Sequence, residues 1–169
     1  MKSAGMTIKK TVSGDVGNLL DLLDEAFDRK AWHGPNLWGA VRRLSEKEAA
    51  ARPGPGRPSI HELVLHCAYW KYAVRRRLTG EKRGSFALEG SNWWTREGVA
   101  ARAAWKSDLS LLLDEHKRLR EAIASFPPAA LDDRNGRGRY TNRRLIAGVA
   151  AHDVYHTGQV RLIRKLAGV

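Results

Sequence analysis

His152 and His156 stand four residues apart in the stretch AHDVYHTGQ, inside a helical apolar pattern. At 100° per residue, four steps return to within about 40° of the starting direction, so both imidazoles leave one face of one helix. Leu145, Val149, Val160 and Ile163 share that face, which therefore points into a core. Two inward imidazoles have two uses. They hold a metal ion, or they are core side chains satisfied by hydrogen bonds, since a buried imidazole without a partner is costly.

A metal would need a ligand from a second helix. His66 is the first choice, flanking an apolar run beside Leu63 and Trp70. One histidine from one helix and two from another is a workable bundle-core site. Imidazole suits Zn, Ni, Fe or Cu, so donor type leaves the divalent transition metal open. Three protein ligands leave room for an exogenous group, as in catalytic rather than closed structural sites. His116, on the seam of another helix, is the reserve ligand and otherwise a core histidine. His61 and His66 imitate a zincin pair with one residue too many. Five steps set their rings about 140° apart, so one metal cannot take both, and His61, in a first turn, is expected to be exposed. His33 falls in a turn that could border the site mouth. Gln159 returns to the histidine side three residues after His156 and could bond a ligand from outside. Asp153 points elsewhere, toward water or an outer hydrogen bond. Cys67 is expected to be a buried, inert thiol, and Trp93 and Trp94 to seal a core.

Four helical stretches must position these residues, and none of the chain alternates convincingly as a strand. The first covers residues 14–31, with Ser13 or Asp15 as cap, Val16, Leu19, Leu20, Leu23 and Phe27 inward, and Asp21, Asp24, Glu25 and Asp28 in water. A turn and two short helical pieces precede RPGPGRP, a connector. The second long helix covers 59–80 and opens with a capping box, Ser59 and Glu62. Residues 80–98 form a long connection, of the kind that crosses a bundle or builds a site. The third helix covers 99–125 and is stopped by Pro127 and Pro128; residues 132–140, with Gly136 and Gly138, read as loop; the fourth helix covers 141–167. The expectation is an all-α, single-domain four-helix bundle over residues 1–169, with a crossover between helices two and three.

Thirty Lys and Arg against eighteen Asp and Glu leave a net charge of +12. The basic residues are mostly arginines spread along the chain, with no basic tail. Solvated helix faces, with attraction for an anionic small substrate, are favoured over nucleic acid as the reason. One cysteine excludes an intrachain disulfide. The first residues lack an apolar signal region and no stretch is long enough to span a bilayer, so a cytoplasmic protein without a membrane partner is expected.

SIHELVLHCAYWKYAVRRRLTG and HDVYHTGQVRLIRK together resemble the DinB-like (DinB/YfiT) superfamily of four-helix-bundle metalloproteins. The carriers are His-x-x-x-His-x-Gly-Gln in the last helix and a lone histidine after Glu-Leu-Val in the second. AWHGPNLWGAVRRLSEKEAAARPGPG is also similar to the first connection in part of that family. The resemblance implies one divalent metal on His66, His152 and His156, a crossover between helices two and three, and frequent homodimers. It implies relatives that transfer or isomerise small molecules with a low-molecular-weight thiol. A metal-dependent S-transferase acting on an electrophilic small molecule is therefore expected. The alternatives are a metal-dependent hydrolase, a non-catalytic stress-response metal-binding bundle, and a nucleic-acid binder using the basic surface.

Overall fold

The structure is a computed structural model that describes residues 14–134 and 138–169. Ser13 and Gly136 lie outside the described residues. Helix α1 (Gly14–Phe27) is followed by two short helices, α2 (Leu37–Val41) and α3 (Glu46–Ala49). Then come α4 (Ile60–Thr79), α5 (Gly98–Ala103), α6 (Trp105–Ala124), a 3₁₀ turn over Pro128–Ala130, and α7 (Asn142–Ala167). Helices dominate and no strand is formed among the described residues, as expected of an all-α bundle.

Local chemistry sets the ends of the helices that matter most. Ser59 caps α4: its hydroxyl accepts from the Glu62 amide and the Glu62 carboxylate accepts from the Ser59 amide. Gly80 closes α4 with φ 75°, a left-handed conformation that costs glycine little. Thr141 caps α7, and Gly168 ends it in the same left-handed way. Two boundaries differ from expectation. Helix α1 stops at Phe27 rather than at 31, where the Asp28 and Arg29 amides both fall on the Asp24 carbonyl. The third helix is broken at Ala104, so that α5 packs on α3 while α6 enters the bundle.

Helices α1, α6, α4 and α7 close a ring in which each packs on the next. Residues 80–97 run back along α4. The Ser85 amide donates to the Tyr72 hydroxyl, Asn92 bonds Trp70 and His66, and the Arg96 amide donates to Glu62. Arg52 adds a two-point contact to Glu62 at 2.7 and 2.8 Å, so one carboxylate ties the connector, the α4 cap and this returning segment together.

The apolar core is in two lobes. One gathers Phe27, Leu37, Val41, Leu63, Val64, Trp105, Leu112, Val160 and Ile163; the other gathers Leu19, Leu23, Val74, Leu119, Ile123, Ile146 and Val149. Between them, halfway along the long helices, lies a buried polar layer of Lys71, Arg75, Glu115, His116, Asp153 and His156. Two sequence expectations fail at buried charged or polar groups, Asp24 and His61, and at Asp153 the outer hydrogen bond replaces water. Asp24 is buried and paired with Arg29 and Arg120 rather than facing water. Asp153 is fully buried and ion-paired with Lys71, itself fully buried. His61 is 2 % exposed, at 2.7 Å from Asp108 and edge-on to Trp105, because the first turn of α4 is covered by α6.

His116 gives this layer a pH signature. It is 4 % exposed and stacked on Phe27 at 3.6 Å. Burial first, and then the charges of Lys71 and Arg120, hold its pKa down at about 2, so it is neutral in the fold. The unfolded chain takes up a proton below its ordinary value of about 6.5, so the contribution is intact above that pH and is lost as pH falls toward 2. At pH 5 the loss reaches about 2 kcal/mol. Urea unfolding of metal-free protein at pH 7 and pH 5 should show His116→Phe losing less stability than wild type, by about that amount. An equal loss in both proteins would refute the assignment.

Candidate metal centre

The three histidines singled out in the sequence meet between α4 and α7. The Nε2 atoms of His152 and His66 are 3.1 Å apart, and those of His156 and His152 are 3.0 Å apart. His66 projects from the middle of α4, and His152 and His156 from successive turns of α7. The 3.6-residue period puts the α7 pair on one face, and the apolar contacts of Val149, Val160 and Ile163 turn that face inward.

Hydrogen-bond accounting determines what the cluster presents. The Asn92 carbonyl can only accept, so His66 Nδ1 carries the proton in their 2.8 Å bond and His66 Nε2 is a bare lone pair. His156 Nδ1 is 2.7 Å from Gln159 Oε1, while Gln159 Nε2 donates to the Tyr155 hydroxyl at 3.1 Å. His156 Nε2 is therefore a lone pair too. His152 Nδ1 is buried with no hydrogen-bond partner. All three rings are held neutral. Burial lowers His66 despite its bond to Asn92. Burial, then the neighbouring His156, His66 and Lys71, lower His152 to about 3. Burial lowers His156 to about 4, against the opposing bond from Gln159.

Neutral, converging imidazole nitrogens are the donor set of a transition-metal site. Bonds of about 2.0–2.1 Å in a tetrahedral arrangement would put donor nitrogens about 3.3 Å apart, close to the 3.1 and 3.0 Å that separate His152 from its two neighbours. The cluster is one of two groups among the described residues that could hold a metal ion. The other, Cys67, His152 and Asp153, is the poorer donor set. Burial holds the Cys67 thiol well above its usual pKa, and Asp153 is engaged by Lys71.

Gln159 bonds His156 from outside the cluster. His116 lies in the core against Phe27 and is not part of the cluster. His33 is exposed in the turn after α1, and no contact brings it to the three histidines. Cys67 is a buried free thiol. Trp93 was expected to seal a core; instead it is 45 % exposed and lies flat on the His66 ring at 3.9 Å, forming a wall of the site. Trp94 packs with Tyr69 and Phe86.

Asn92 was not anticipated. Its carbonyl orients His66 and its side-chain oxygen accepts from Trp70 at 2.9 Å. With φ 67° it is the one non-glycine left-handed residue among the described residues, a conformation Asn tolerates better than most. The only sequence signal was its position beside two tryptophans in a long, glycine-punctuated connection.

With fold and cluster in place, comparison with known families identifies the class. The DinB superfamily profile matches residues 19–160, and the chain belongs to that superfamily. Comparison with curated proteins and with solved structures finds no match.

Proposed function

We propose that this chain is a metal-dependent enzyme that activates a low-molecular-weight thiol, or water, for transfer to an electrophilic small molecule. The supporting observation is the convergence of three neutral imidazole Nε2 atoms beside a cavity of about 400 Å³ that reaches His152. His66, His152 and His156 would hold one divalent transition metal. Bound there, the ion supplies Lewis acidity that lowers the pKa of a thiol or water occupying a remaining position.

The rest is done by the chain. Asn92 and Gln159 each hold the Nδ1 proton of a ligand, which fixes the tautomer that leaves Nε2 bare. Trp93 and Trp70 border His66, so the site is apolar on that side. Arg77 and Arg144 stand on the rim of the cavity and attract an anionic partner.

The test is consumption of a panel of cellular thiols with an aryl halide electrophile, and ester hydrolysis in parallel, with and without added Zn, Ni or Fe. Turnover that depends on metal and stops on chelation supports the reading. Protein that binds metal yet accelerates neither reaction would leave a non-catalytic metal-binding bundle.

A further inference from the structure

The cavity beside His152 is the groove between α4 and α7, and its walls repeat with the helices. On α7 one row at steps of four reads Arg144, Gly148, His152; on α4 the facing row reads Trp70, Val74, Arg77. His152 and Trp70 form one end, with ring centroids 6.1 Å apart, and the two arginines form the other. Arg144 to His152 is two helical turns, about 12 Å of rise. Arg144 is held at the rim by the Tyr140 ring, 5.7 Å from its guanidinium.

Gly148 is the informative residue. It sits mid-helix, where glycine is a poor helix former. No packing contact demands it: a Cβ there would meet nothing within 4 Å. It is midway between cation and imidazole, so any larger side chain would stand in the groove. A volume of about 400 Å³ lies in the range of small-molecule sites, roughly 300–1,000 Å³.

We propose that this groove binds the electrophilic substrate, and that the substrate is an amphipathic monoanion. Its flat apolar body lies over Gly148 against Trp70 and Val149, and its carboxylate or other anionic end lies between Arg77 and Arg144. The reacting end then faces His152. Assigning the occupant as substrate rests on the reading of the histidine cluster as the reacting centre; the binding does not.

The test is calorimetric titration of the full chain in EDTA, so that no metal can hold a carboxylate. The probes are 2-naphthoate and its uncharged counterpart naphthalene-2-carboxamide. The acid should bind at least about 10-fold more tightly than the amide, as a charge-assisted contact predicts. Arg144→Gln should shrink that ratio to about 3-fold or less, leaving the amide unaffected. Gly148→Leu should weaken both probes by at least about 10-fold, because the side chain fills the groove. Metal stoichiometry, measured separately, should stay at wild type in both variants. Equal affinity for acid and amide, no saturable binding of the acid, or undiminished binding by Gly148→Leu would each overturn the proposal. A chain that binds 2-naphthoate as described but takes up no divalent metal would instead overturn the reading of the reacting centre and leave the groove standing.

Discussion

Divalent-metal affinity should fall by at least about 100-fold in His152→Ala, because losing a partner one bond further from an ion already costs about 10–100-fold. His152 is the central member of the cluster: its Nε2 is within 3.1 Å of both other Nε2 atoms. Without it, His66 and His156 remain on two neighbouring helices with no third nitrogen between them. Gln159→Leu provides a graded comparison. It keeps all three donors but frees His156 Nδ1 from its 2.7 Å bond, so the ring can rotate and change tautomer, and the expected loss is about 10–100-fold. His116→Ala should bind metal as wild type does, because His116 is in the core against Phe27. Competition against a chromophoric chelator at pH 7 measures all three. Wild-type affinity in His152→Ala would show that the ion, if bound, sits elsewhere.

The parts of this site visible in the sequence are those set by local geometry. A four-residue spacing fixes which way His156 points relative to His152, and capping chemistry at Ser59 and Thr141 fixes where α4 and α7 begin. His66 was legible because its helix had a clear apolar side. What escaped depends on which helices become neighbours. His61 and Asp108 are 47 positions apart, and Lys71 and Asp153 are 82 apart. Taken alone, such a residue carries no sign of burial, since charged side chains are seldom buried unless paired. Only the packed bundle supplies the pair. The break at Ala104 is of the same kind. Alanine is the best helix former, so nothing local marks a stop there. Asn92 and Trp93 were illegible for a different reason. Their roles come from a segment retracing α4, and a connection without periodicity carries no directional signal.

Lys71→Met should destabilise the protein by about 3–5 kcal/mol, the cost of leaving one half of a buried ion pair alone. Both partners are fully buried, and Asp153 Oδ1 has no hydrogen-bond partner even with Lys71 present. Burial raises the Asp153 pKa and the lysine opposes it, so removing the lysine leaves only the burial penalty. The ammonium also lies over the Phe27 ring at 4.7 Å, a contact that methionine replaces only in part. Asp153→Leu alone should cost a similar amount, because it strands the lysine. The double variant Lys71→Met, Asp153→Leu should lie within about 1–2 kcal/mol of wild type or above it, since apolar residues of similar volume often replace a buried pair without loss. Urea unfolding of the four proteins gives the coupling energy directly. Additive losses would refute the pairing as the reason these charges survive in the core. The double variant also separates stability from placement. Asp153 follows His152, and Lys71 lies five residues beyond His66, so this pair ties α4 to α7 at the level of the histidines. If the pair sets the register of the two helices, the double variant stays folded but binds metal more weakly than wild type. Wild-type affinity in that variant would mean that packing of the two apolar lobes alone aligns the donors.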